Sequence, residues 1–386
     1  MGIEKALSLE LRKKLRKDLL AADDKLVLAI PKVELHVHIE GTLTLDLRWK
    51  LTQRNGTTLR LVPNGPELKS LDELNAAMDS IMPEAGRMNN DEERDVFFES
   101  YFEGFQALKM KGDYYDLAMN YFEHAASMNV RYCELFFDPQ GHTSRGVPWS
   151  EMMDGFREAQ RDADMILNVK SAWIMCFLRD LSPESAMEHY KAALPYRDMI
   201  VGIGLDSCED NRPPSLFEDV FAQARRDGFK LTMHCDVDQK ETAGHIEQVA
   251  SVVAGKGADR IDHGLNAADE QTLIDLILKR DVGMTLCPWS YLRHTTYAKL
   301  GLRIRTLYDA GIKLSINSDD PAYMEDCWIL HNMLLARHIC DFSDKDIVVL
   351  ARNAVEISWA KQSVKEKILQ EIGMVYDGFH SIGQKD

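Results

Sequence analysis

Lys32-Val33-Glu34-Leu35-His36-Val37-His38-Ile39-Glu40-Gly41 is the stretch from which the rest of the chain is read. Its apolar, β-branched run suits a strand. Successive side chains on a strand face opposite ways, so His36 and His38 share a face and can grip one ion. Gly41 lets the chain turn away at once. Neutral imidazole is a good ligand for zinc or iron. Two surface histidines on an edge strand are the plain alternative, and the remaining chain has to decide between them.

Downstream, strand and helix patterns alternate. Strands are expected at 130–137, 170–177, 200–205, 230–235, 260–263, 283–286 and 313–317, separated by helical patterns. With the first strand this makes about eight βα units, the count that closes an α/β fold of the (β/α)8 TIM-barrel type. Residues 56–120 read as a helical insertion after the first strand and a candidate lid. Ser70 and Asn90 or Asp91 are its helix starts, and Pro63, Gly65, Pro66 and Pro83-Glu84-Ala85-Gly86 mark its loops. Its aromatic run Phe97, Phe98, Tyr101, Phe102, Phe105 falls at helical spacing and reads as a buried face rather than a ligand cage. Residues 1–28 form a helical arm, residues 344–373 a C-terminal helical tail, and the span 1–386 reads as one barrel domain.

The totals exclude several classes of function. An apolar content of 45% supports a large core, and no segment is long and apolar enough to cross a bilayer. The first twenty residues mix Leu with Lys and Arg and lack the features of a signal peptide. A net charge of -16 argues against a nucleic-acid polymer as partner. The seven cysteines form no Cys-x-x-Cys pair, which suits reduced thiols in the cytoplasm. A small-molecule substrate fits this balance, no membrane is implied, and a homo-oligomer stays open.

In a TIM barrel the chemistry sits at the C-terminal strand ends. Those ends carry His36 and His38, Asp138, Arg179, Asp206-Ser207, His234-Cys235-Asp236, Asp262-His263-Gly264, Cys287-Pro288 and Asn317-Ser318-Asp319-Asp320-Pro321. Metal-ligand types recur at the first, fifth, sixth and eighth ends. His36, His38, His234 and Asp319 can hold one divalent ion and leave a place for water. Bound zinc lowers the pKa of that water to about 7. His263 is placed to orient the water or stabilise a charged intermediate, and Asp320 to take or relay a proton. The histidines at 124, 189, 245, 294, 331, 338 and 380 read as surface or packing residues, and Cys235 as core.

The segments 31–43, Arg260-Ile261-Asp262-His263-Gly264, Leu286-Cys287-Pro288 and Asn317-Ser318-Asp319-Asp320-Pro321 together resemble the adenosine/adenine deaminase family of the amidohydrolase superfamily. Glu40, Phe136-Phe137-Asp138-Pro139-Gln140 and Gly202-Ile203-Gly204-Leu205-Asp206-Ser207 resemble its bacterial and fungal adenine deaminases. The likeness runs from Pro31 to Leu369. It implies a zinc barrel with one ion per chain, Fe2+ or Mn2+ being alternatives, that removes an exocyclic amine from a purine-like ring by attack of a metal-activated hydroxide. It implies His36, His38, His234 and Asp319 as ligands, and His263 and Asp320 as the groups that activate water. Asp320, Glu40 and Ser207 or Asp206 would then lie along the substrate.

One segment departs from the pattern. Where the family has His-Ala-Gly-Glu, this chain has His234-Cys235-Asp236-Val237-Asp238-Gln239. Valine cannot transfer the proton that the glutamate gives a ring nitrogen. Three accounts stay open: Asp236 or Asp238 supplies the proton from a shifted loop; the substrate is a 6-substituted adenine or another amino-heterocycle; or the chain binds without turnover. The loop after the seventh strand also differs, with Trp289-Ser290 after Cys287-Pro288. A metal-dependent hydrolase of a cyclic amide is the rival reading among enzymes.

Overall fold

The computed structural model describes residues 6–81 and 91–382. The expected loop at Pro83-Glu84-Ala85-Gly86 and the helix start at Asn90 lie outside these residues. Eight parallel strands follow one another around a single sheet: β1 Lys32–His38, β2 Val130–Phe137, β3 Lys170–Leu178, β4 Ile200–Asp206, β5 Lys230–Cys235, β6 Arg260–His263, β7 Gly283–Leu286 and β8 Leu314–Ile316. The chain just after β8 completes the ring. Asp319 donates its N–H to the His36 carbonyl at 3.1 Å, and His38 donates to the Asp319 carbonyl at 3.0 Å. The residues nominated as ligands therefore also stitch the barrel shut.

β1 is not regular. Its register against β2 shifts between Glu34 and Val37, an extra residue of the kind that re-aims side chains beside active sites. Glu34 turns to Tyr121 on the outer Lys111–Ser127 helix, whose hydroxyl it accepts at 2.7 Å. His36 and His38 turn inward against Phe136. Beneath them the barrel is filled by Phe136, Ile174 and Cys176, with Trp359 plugging the far end. The guanidinium of Arg260 lies 4.1 Å over the Trp359 ring and donates to Glu134 at 2.6 Å. The second apolar layer lies between strands and outer helices, among them Trp149–Asp162, Pro183–Ala193, Gln271–Arg280 and Tyr297–Asp309. Ser182 and Thr296 cap two of these helices, as serine and threonine do by accepting an early backbone N–H.

Two additions frame the barrel mouth. The Asp91–Gly104 helix sits in the stretch between β1 and β2 and shares a small separate core with Leu59, Leu61, Leu74, Met78 and Tyr323. Near the N-terminus, the Leu9–Ala21 helix buries Arg12 against Glu325, in the loop after β8. The tail is longer than expected: helices run at Ile329–Cys340, Asp344–Ile357 and Gln362–Ile382.

Candidate active site

The strand ends bring six metal-ligand side chains into two overlapping groups. Ligand atoms of His36, His234, His263 and Asp319 all lie within 4.8 Å of one another, and His38, Asp319 and Asp320 form an overlapping group. Oδ1 of Asp319 is 3.2 Å from Nε2 of His36 and 3.6 Å from Nε2 of His38. Nε2 of His38 is 3.1 Å from Nε2 of His234. The backbone is bent to achieve this. His263 and Asp319 sit at φ 60° and 68°, conformations that cost non-glycine residues on the order of 1–3 kcal/mol each and collect at functional sites. Gly41 is needed for room, since a Cβ there would lie 2.0 Å from Oδ1 of Asp320.

The hydrogen bonds behind the rings fix where their lone pairs point. Thr285 donates its proton to Asp262 at 2.9 Å, so toward Nδ1 of His36, also 2.9 Å away, it can only accept. His36 therefore carries its proton on Nδ1. Its Nε2 is buried without a hydrogen-bond partner. His234 gives its Nδ1 proton to the Leu205 carbonyl at 3.1 Å, and Nδ1 of His38 faces Asp206 at 3.4 Å. The Nε2 lone pairs of His36 and His234 thus converge with Nε2 of His38 and the Asp319 carboxylate, the donor types of an open metal site. These residues fit a divalent metal ion.

The carboxyls around this point are held in different states. Asp319 is kept far below the usual carboxylate range: burial opposes this, but the surrounding imidazoles of His263, His36 and His38 outweigh it. Asp320 is pushed up to about 8, first by burial and then by Asp319, Asp206 and Glu40, with His38 pulling the other way. Burial, then Glu209 and Asp319, raises Asp236 well above its ordinary value. The Asp236 carboxyl lies 3.4 Å from Nε2 of His263, and its backbone N–H is anchored on Glu209 at 2.8 Å.

A cavity of about 110 Å³ opens above these groups. Asp206, Ser207, Asp236, His263 and Asp320 line it, as does Asp138, which the sequence places at a strand end without a role. Two expected site residues are elsewhere. Asp238 does not line the cavity: at φ 56° its carboxylate turns outward to Arg303 and Asn266, each 2.9 Å away. Glu40 lies behind Asp138, where it accepts from the Asp138 N–H at 3.1 Å and from Nε2 of His142 at 2.9 Å. A short turn spans Glu40–Thr42, and Glu40 is not among the residues that line the cavity. His142 had no signal in the sequence.

The aromatic run divides. Phe105 stacks on His142 and belongs to the packing, but Phe97, Phe98, Tyr101 and Phe102 form one wall of the cavity. His294 also lines it, contrary to its reading as a surface or packing residue. Cys235 turns away into the outer core as expected.

Such a barrel, with imidazoles and carboxylates converging at its C-terminal mouth, defines a metal-dependent aminohydrolase. The family model described as adenosine deaminase matches residues 31–375, and the chain belongs to that family. An uncharacterised deaminase of Schizosaccharomyces pombe is 39% identical over 350 residues, 90% of this chain and 96% of that one. The crystal structure of adenine deaminase from Arthrobacter aurescens superposes with a TM-score of 0.79 at 30% identity, covering 90% of this chain and 99% of the other. An amidohydrolase from Burkholderia ambifaria, solved with bound zinc, has the same fold, with a TM-score of 0.76 at 24% identity over 94% of this chain and 95% of the other. Hydrolytic deamination is the activity of this family.

Proposed function

We propose that the chain hydrolyses adenine to hypoxanthine and ammonia, with zinc held by His36, His38, His234 and Asp319. The observation that carries this reading is the convergence of buried donors: Nε2 of His36 and of His38 lie 3.2 and 3.6 Å from Oδ1 of Asp319, and Nε2 of His234 lies 3.1 Å from Nε2 of His38. A zinc ion bound there supplies Lewis acidity that lowers the pKa of water to about 7. Asp320, poised near neutrality, accepts the proton of the attacking water and returns it to the departing amine. Asp236 takes over from the missing family glutamate. Held above the ordinary carboxylate range, it gives its proton to a ring nitrogen as C6 becomes tetrahedral, and the C6 hydroxyl proton restores it as ammonia leaves. Asp206, Ser207 and Asp138 lie along the purine edge, and the Asp91–Gly104 helix of the 56–120 insertion acts as the lid.

A second reading has one specific support. Phe97, Phe98 and Phe102 are half-buried rings facing the cavity, more apolar surface than a bare amine needs. They favour adenines that carry an apolar N6 substituent. The deciding experiment is ammonia or amine release from adenine and N6-alkyl adenines, with metal content measured on the same sample. Turnover of adenine by protein holding one zinc per chain is expected. Fully metallated protein that releases no amine from any of them would overturn the reading.

A further inference from the structure

The loop after β7, where Trp289-Ser290 departs from the family pattern, delivers the hydroxyl of the next residue, Tyr291, to Nδ1 of His263 at 2.8 Å. The same oxygen accepts the backbone N–H of Cys287 at 2.9 Å. A phenol has a single proton to give. With Cys287 occupying the oxygen as a donor, the remaining contact for the Tyr291 proton is Nδ1 of His263. Tyr291 is 1% exposed and His263 is 4% exposed, so bulk solvent does not compete for either. His36 and His234 carry their proton on Nδ1; His263 is the reverse.

We propose that Tyr291 is a positioning residue that holds His263 in its Nε2–H form, making it a hydrogen-bond donor at the reaction centre and not a ligand or a base. This rests on the aminohydrolase reading of the site. It also settles a choice that distance leaves open, because His263 lies as close to Asp319 and His36 as a ligand would. An imidazole whose Nε2 bears hydrogen cannot donate a lone pair to an ion. It can donate to oxygen charge developing at the attacked carbon. Proton acceptance then falls to Asp320.

The test is two-bond 15N–1H correlation spectra of the histidine rings in zinc-loaded wild-type and Tyr291→Phe proteins, with metal content and steady-state kinetics on both. Wild type is expected to show His263 with hydrogen on Nε2. Tyr291→Phe should keep its zinc, lose the single tautomer and drop kcat by about tenfold or more while KM moves little. A wild-type spectrum with hydrogen on Nδ1 of His263 would overturn the proposal. So would a variant with unchanged tautomer and unchanged kcat. Wild-type protein with the expected tautomer and no action on any purine would overturn the substrate reading while supporting this one.

Discussion

Asp319 and Asp320 are adjacent, both buried, and their carboxyls are shifted in opposite directions. Asp319 points its carboxylate at His36 and His38 and stays ionised, whereas Asp320 faces other carboxylates and is pushed up to about 8. One is suited to hold a cation and the other to exchange a proton. Asp319→Asn is expected to lose metal together with activity. Asp320→Asn should keep one ion per chain and lose about 10²–10⁴ in kcat. Metal analysis beside kinetics on both variants separates the roles; full metal and full turnover in Asp319→Asn would remove that residue from the ligand set.

The loop after β5 offers two aspartates two positions apart, and they face different surroundings. Asp236 borders the cavity, while Asp238 is engaged by Arg303 and Asn266. Asp236→Asn is therefore expected to slow turnover about a hundredfold without releasing metal. Asp238→Asn should leave kcat within about twofold and cost no more than about 1 kcal/mol of stability, because its ion pair is partly exposed. Equal kinetic losses in the two variants would contradict the geometry.

How much of this is legible without coordinates follows from what periodicity encodes. The eight strands are readable because each is a short, largely apolar run with polar residues at or just after its end, and the ligand types stand out at four of those ends. Alternation along β1 correctly pairs His36 with His38, although the register shift after Glu34 is invisible to it. Helical spacing in the run from Phe97 to Phe105 tells which residues share a face, but not that the face covers a cavity. Glu40 is two residues from His38, yet a short helical turn takes it behind Asp138. Backbone sign decides Asp238 in the same way: a left-handed φ aims it outward, and nothing in Asp236-Val237-Asp238 announces which aspartate makes that turn.

The aromatic wall makes a kinetic prediction. Phe97 and Phe102 touch the cavity while remaining half-buried, so truncation removes ligand contact with modest damage to the fold. Contacts shared by ground and transition states raise KM and leave kcat in place. Phe97→Ala and Phe102→Ala are each expected to raise KM for an N6-alkyl adenine about tenfold, and for adenine by less. Equal effects on the two substrates would argue against the second reading of the substrate.

Lys32, at the opposite end of β1, is 1% exposed and donates to the Ile30 and Leu28 carbonyls at 3.1 and 3.4 Å. Burial, then repulsion from Arg131, lowers it to about 7 from 10.5. The unfolded chain keeps that proton up to about pH 10, whereas the folded chain releases it near 7. Between these values the unfolded state binds more protons, so stability rises with pH by up to about 1.4 kcal/mol per unit. Below pH 7 this group contributes no slope. Urea unfolding at several pH values from 6 to 10 should show the rise in wild type, and the difference between wild type and Lys32→Met isolates it from other titrations. Parallel profiles would mean that Lys32 stays charged in the fold.

Glu325 receives Arg12 through Nε and Nη2 at 3.2 and 3.1 Å, Arg293 at 3.1 Å and the Trp289 indole at 2.7 Å. Burial opposes its ionisation, but Arg293 and Arg12 hold the carboxyl below its ordinary value. This one carboxylate joins the N-terminal helix to the loops after β7 and β8, which carry Tyr291 and Met324 into the cavity. Removing one partner of a buried ion pair strands the others, at about 3–5 kcal/mol. Arg12→Ala is expected to lose stability on that scale and to weaken kcat through the loosened Trp289 loop, although it lies outside the cavity. Arg12→Lys should recover only part of both, because an ammonium cannot reproduce the two-point grip on the carboxylate. Complete recovery by lysine would mean that charge alone, and not the forked geometry, secures the arm. Stability by urea titration and kcat measured on the same variants distinguish these outcomes.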